Sequence, residues 1–170
     1  MNLNILMLSI RLFASKDFAM VSKITIDCFE KINSKNMSKD EVKYAKEYYS
    51  TTKLKQSSKD FNFYVCELNS QIVGSVAFKE NQIHNLFVDP KFHRIGIGKK
   101  LLEFAESKIF KNHQLVVLDS SPYAVEFYKK FGYKVLDNHQ NKLGLSIAMS
   151  KDKSISKTNL ESKAGAKTKS

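Results

Sequence analysis

His93-Arg94-Ile95-Gly96-Ile97-Gly98-Lys99-Lys100-Leu101-Leu102 places a glycine-spaced basic turn between an apolar segment and an amphipathic one. Upstream, Ile83 to Val88 predicts a strand that Asp89-Pro90 ends. Downstream, Ile97, Leu101, Leu102, Ala105 and Ile109 recur at helical spacing, so the glycines open a helix. Backbone N–H groups with no side chains in the way, at the positive end of a helix dipole, suit a phosphate group. Arg94, Lys99 and Lys100 add positive charge there.

Spacing excludes two common phosphate motifs. A dinucleotide fingerprint needs a third glycine three residues after Gly98, where Leu101 stands. A P-loop needs a glycine five residues before Gly98 and Ser or Thr after Lys99, but His93 and Lys100 occupy those places. The turn instead resembles the Gln/Arg-x-x-Gly-x-Gly/Ala signature of the GNAT superfamily of N-acetyltransferases, which wraps the pyrophosphate of acetyl-CoA. His93 stands where that family prefers Gln or Arg, so the amide contacts carry over more directly than the first side-chain contact.

A second segment, Asp119-Ser120-Ser121-Pro122-Tyr123-Ala124-Val125-Glu126-Phe127-Tyr128-Lys129-Lys130-Phe131-Gly132-Tyr133, predicts a short helix. It has a serine cap, a proline at its first position and a glycine at its end. Ala124, Phe127, Tyr128 and Phe131 share one face, and the apolar run Leu115 to Leu118 before it predicts a buried strand. This segment resembles the second GNAT signature, and the two together cover about residues 10 to 150 in the family's order.

The resemblance implies an α/β GNAT fold with a mixed, splayed sheet of about seven strands flanked by about four helices. The sheet would part between the strands Ile83 to Val88 and Leu115 to Leu118, where the pantetheine arm of the coenzyme inserts. It implies coenzyme contacts from Leu86, Phe87, Val88, His93, Arg94, Ile95, Gly96, Ile97, Gly98, Lys99, Ser121 and Tyr128. It also implies catalytic parts: the Leu86 N–H at the thioester carbonyl and the Tyr128 hydroxyl at the leaving sulfur. Gln82 falls where several members carry a glutamate, and an amide takes up no proton at neutral pH. His84, two residues on, has an ordinary pKa suited to accepting the amine proton, with Glu80 as a fallback. The histidines His93, His113 and His139 lack metal-ligand spacing, so no metal is expected.

The remaining pattern fits one domain. Phe18, Val21, Ile24, Cys28 and Phe29 predict a first helix, and Ser38 with Glu41 forms a capping box opening a second through Tyr44, Tyr48 and Tyr49. Phe63 to Leu68 and Ile72 to Lys79 predict a hairpin turning at Asn69-Ser70. Tyr133 to Leu136 and Leu143 to Met149 predict the last strands, with a polar loop at Asp137 to Asn141. Residues 1–9 read as an extension or the start of a first strand near Ile10, and 151–170 as a disordered basic tail.

With 170 residues and 42% hydrophobic content, the chain can bury one core. Its net charge is +11; the last twenty residues hold six lysines and two acids, which leaves +7 on the rest. The tail shows no aromatic residues interleaved with its lysines, which disfavours nucleic acid as a partner. Leu3 to Ile10 is too short to span a bilayer and has no basic region before it. Cys28 and Cys66 are far apart without paired spacing, so buried thiols and a cytoplasmic setting are expected.

The expected function is transfer of acetyl from acetyl-CoA, as co-substrate, to a primary amine by direct attack in a ternary complex. The acceptor would be framed by Cys28 to Tyr49 and Asp137 to Leu145, and homodimerisation stays open. The alternative is a GNAT-like module that binds acyl-CoA without turnover, for which Tyr128 and His84 would have no use.

Overall fold

The computed structural model describes residues 7–153. In chain order these form β1 (Leu8–Leu12), α1 (Phe18–Lys31), α2 (Lys39–Tyr48), α3 (Thr51–Ser57), β2 (Asn62–Leu68), β3 (Gln71–Lys79), β4 (Gln82–Val88), α4 (Ile97–Ile109), β5 (Leu115–Ser120), α5 (Val125–Lys130), β6 (Lys134–Asn141) and β7 (Gly144–Asp152). The strands make one sheet in the order β1-β2-β3-β4-β5-β7-β6. All neighbours are antiparallel except β4 and β5, so the sheet is mixed, as expected.

Alternation along β2 and β3 sends apolar side chains to both faces of the sheet. On one face Leu101, Leu102, Ala105 and Ile109 of α4 pack with Val73, Val76, Val116 and Met149. On the other, Val21 and Phe29 of α1, Ala45 of α2 and Leu54 of α3 pack with Phe63, Val65 and Ala77. Leu101 and Leu102 are fully buried, and truncating either to alanine costs about 2–5 kcal/mol. Gly74 lets α4 settle on the sheet: a Cβ there would lie 2.8 Å from the Phe87 carbonyl oxygen and 3.0 Å from Leu101 Cδ1.

Local signals explain the element ends. Ser38 Oγ accepts from the Glu41 N–H, and a Glu41 carboxylate oxygen accepts from the Ser38 N–H, the reciprocal cap of α2. Asn69 and Ser70 both have positive φ, 50° and 66°, and turn the β2-β3 hairpin with the twist it needs. Arg11 of β1 donates to both oxygens of buried Asp17 and to Glu67 of β2, fixing the first strand against the approach to α1.

Several expectations are corrected. Among the described residues there are five α-helices where about four were expected; the addition is α3, whose only buried residue is Leu54. The expected polar loop at 137–141 is strand, since β6 runs to Asn141. It lies at the sheet edge with every residue exposed, so no alternation marks it. The first strand begins at Leu8, within the span 1–9 read as an extension or a strand start. The tail boundary also moves. Val116 pairs with Lys151 and Leu115 with Asp152, so both belong to β7, and the Lys153 N–H donates to the Gln114 carbonyl. Residues 1–6 and 154–170, which carry the rest of the expected extension and tail, lie outside the described residues. No helix among the described residues is long and apolar enough to cross a membrane.

Candidate active site

Strands β4 and β5 are joined by only two register pairs, Gln82 with Val117 and Ile83 with Leu118, and then part. The Asp89 N–H donates to the Val73 carbonyl at 2.8 Å on the β3 side. Alternation of the ladder therefore turns the Leu86 and Val88 amides toward the gap. Buried amides without a strand partner call for another one.

A cavity of about 310 Å³ opens at the parting. Leu86 and Phe87 of β4 wall one side, Ser121 and Tyr128 another, with Tyr49 of the helical layer and Leu143 of the β6-β7 turn closing it. The structure thus brings together Leu86, Phe87, His84, Ser121 and Tyr128, all singled out from sequence. Val88 and residues 93–99 stand outside this cavity, at the end of β4 and the start of α4.

Tyr128 is buried, and burial holds its phenol pKa well above the ordinary tyrosine value. It therefore keeps its proton throughout the neutral range. Its ring packs edge-on against Phe127 and Tyr133. The hydroxyl has no hydrogen-bond partner among the described residues, yet is not sealed from solvent. Such a group can donate to an occupant of the cavity.

His84 interrupts the β3-β4 register: Ala77 pairs with Asn85 and Phe78 with Ile83, leaving the histidine bulged. Its ring meets Phe61 edge-on at 4.7 Å. Desolvation lowers its pKa, partly opposed by Asp119, so the imidazole is neutral near pH 7 and able to accept a proton. Beside it, the Tyr49 hydroxyl donates to Asn85 Oδ1 at 3.3 Å.

The basic turn is built as a phosphate cradle would be. Arg94 has φ 65°, and Gly96 caps α4 at φ 92°, a conformation that favours glycine. A Cβ at Gly96 would meet nothing within 4 Å, so the turn faces open space at the helix N-terminus. His93 Nε2, as donor, lies 2.8 Å from the Val88 carbonyl oxygen. That oxygen also accepts from the Cys28 thiol at 3.2 Å. The histidine is therefore a strut between turn and strand. Burial pushes the Cys28 thiol up to about 12 and keeps it protonated. Ser121 caps the turn Pro122–Ala124 by backbone position only, its side chain making no cap hydrogen bond, and the residue lines the cavity.

Sequence reasoning missed Asn85, Asp119 and the α3-side residues Leu54, Ser57 and Phe61, all of which line the cavity. Asp119 had one signal: an acid inside the apolar run Leu-Val-Val-Leu-Asp-Ser. The others had none, because their chemistry is ordinary and only the tertiary fold assembles them.

Comparison with known proteins agrees with this architecture. Residues 33–153 match the family described as acetyltransferase (GNAT) domain. The chain is 36% identical over 87 residues to the uncharacterized N-acetyltransferase MJ1207 of Methanocaldococcus jannaschii, a match spanning 42% of this chain and 38% of that relative. A GCN5-related N-acetyltransferase from Rhodopseudomonas palustris superposes with a TM-score of 0.78 at 19% identity, covering 85% of this chain and 94% of its own. The PaiA N-acetyltransferase of Thermoplasma acidophilum, solved in complex with coenzyme A, gives a TM-score of 0.72 at 22% identity, with coverage of 86% and 99%.

Proposed function

The chain belongs to the GNAT acetyltransferase family, and from that premise we propose that it is an acetyl-CoA-dependent N-acetyltransferase acting on a primary amine. The observation that carries this reading is the meeting of Leu86, His84 and Tyr128 at one cavity where β4 and β5 part. The coenzyme fits the residues present. The open turn at Gly96 with Arg94 and Lys99 suits its pyrophosphate, and the gap-facing amides of Leu86 and Val88 suit its amide-rich arm. Acetyl-CoA supplies the acetyl thioester.

Each protein group then has a defined task. His84 takes a proton from the acceptor ammonium, directly or through water, leaving a nucleophilic nitrogen. The Leu86 N–H donates to the thioester oxygen as negative charge gathers there. As the new C–N bond forms and the C–S bond breaks, Tyr128 gives its hydroxyl proton to the departing sulfur, and the second proton shed by the nitrogen returns to the tyrosine oxygen, directly or through water. No covalent enzyme intermediate is needed. Burial of the thiols Cys28 and Cys66 supports a reducing, cytoplasmic setting.

The test is thiol release from acetyl-CoA by the full chain with a panel of amines, alongside calorimetric titration of CoA. Saturable CoA binding and amine-dependent release with intersecting initial-rate lines are expected, whereas parallel lines would point to a covalent intermediate. A folded protein that does not bind CoA would overturn the reading. CoA binding without turnover on any amine would favour the non-catalytic module.

A further inference from the structure

The chain carries 28 lysines and arginines against 17 acids, yet the cavity is charged in the opposite sense. Among the described residues no lysine or arginine lines it, and its only carboxylate is Asp119. The side chain of Asp119 is half exposed, 3.9 Å from His139 Nε2 of β6, and raises the pKa of His84 on the neighbouring strand, each residue following the Ile83–Leu118 pair. The walls around it are aromatic, with Phe29, Tyr48, Tyr49, Phe61 and Phe87 on the helical side. Such walls attract a cation and its apolar body, and a second anion brought there would meet Asp119 with no lysine or arginine in the lining to offset it.

The cavity is also bridged. Gln140 of β6 donates to Glu41 of α2 at 2.5 Å, and a Cβ at Gly144 would lie 3.4 Å from Met37 Cγ. The β6-β7 turn therefore rests on the start of α2. That strap covers the α2 side of the cavity, whose volume of about 310 Å³ suits a small acceptor.

Building on the acetyltransferase reading, we propose that the acceptor is a small cationic amine with an apolar body and no acid group, and that Asp119 is the residue that selects it. The carboxylate holds the incoming ammonium beside His84, and the aromatic wall takes the hydrocarbon part. A carboxylate or phosphate on the acceptor is repelled.

The test compares 2-phenylethylamine with phenylalanine, which differs by one carboxylate, and with a lysine-containing peptide, using saturating acetyl-CoA and the full chain. We expect kcat/KM at least a hundredfold higher for 2-phenylethylamine. Asp119→Asn should raise KM for that amine about ten- to a hundredfold with a smaller change in kcat, and should narrow its advantage over phenylalanine. CoA titration of wild type and variant is the control, and both should bind alike. If CoA binds but phenylalanine or the peptide is used as well, or no small amine is used, the proposal is overturned while the coenzyme site stands. An unchanged KM in Asp119→Asn overturns the role of Asp119. Loss of CoA binding in the wild type overturns the underlying acetyltransferase reading too.

Discussion

Lys151 Nζ lies 2.8 Å from Glu106 Oε2, with both side chains less than a tenth exposed, and so ties the last strand to the last turn of α4. The ammonium also stands 5.7 Å from the centre of the Tyr133 ring. Removing one partner of such a pair strands a charge in the core. Lys151→Met should therefore destabilise the fold by about 3–5 kcal/mol, and adding Glu106→Leu should recover most of that loss. Urea unfolding midpoints measure both. A chain ending after Ser150 should unfold well before one ending after Lys153, because only the second keeps this pair and the Lys153 contacts.

Tyr128→Phe retains the ring contacts with Phe127 and Tyr133 and deletes a hydroxyl that no described residue binds. Melting temperature and CoA affinity should stay near wild type, while kcat falls about ten- to a thousandfold. Equal turnover with a responsive amine would reduce the tyrosine to a packing residue.

The two glycines of the cradle should separate. Gly96→Ala forces a side chain into φ 92°, at a cost of about 1–2 kcal/mol, and deforms the turn. CoA binding should weaken by at least tenfold. At Gly98 a new Cβ would rest 3.4 Å from Phe127 Cζ, an ordinary contact, so Gly98→Ala should fold and bind CoA within about threefold of wild type. Paired calorimetric titrations and thermal melts distinguish the outcomes.

For His84 the sign of the pH effect follows from its lowered pKa. As pH falls through about 6.5, the unfolded chain takes up a proton that the folded chain resists, so stability should decline there. His84→Gln should flatten that decline. In kcat/KM, corrected for free amine, the acid limb should fall below pH 6.5, and the variant should lose the limb together with about a hundredfold in rate. An identical pH profile in the variant would remove His84 from the proton path.

What the sequence made legible was whatever obeys a local rule. The Ser38-Glu41 cap, the Asn69-Ser70 turn and Gly132 after α5, at φ 88°, lie where their chemistry predicts. The amphipathic stripe of α4 was plain for the same reason. Strand β6 was not, because an exposed edge carries no alternation. Lys151 looked like tail because its partner is 45 residues away. In the site, Tyr128 and Ser121 belonged to a motif and could be read. Leu54, Asn85 and Phe61 reach the cavity only through the bulge at His84 and the packing of the α1-α3 layer, which no spacing encodes.

The narrow junction of β4 with β5 has a mechanical consequence. Two pairs of residues carry the whole lateral load between a four-stranded block, β1 to β4, and a three-stranded one, β5 to β7, with the apolar layer beneath α4 as their common footing. A molecule hydrogen-bonded along the gap would act as a suture between them. Saturating CoA should then slow amide exchange on both banks of the seam together, in Leu86 and Val88 as in Asp119 and Ser120, and merge the opening of the two blocks into one cooperative event.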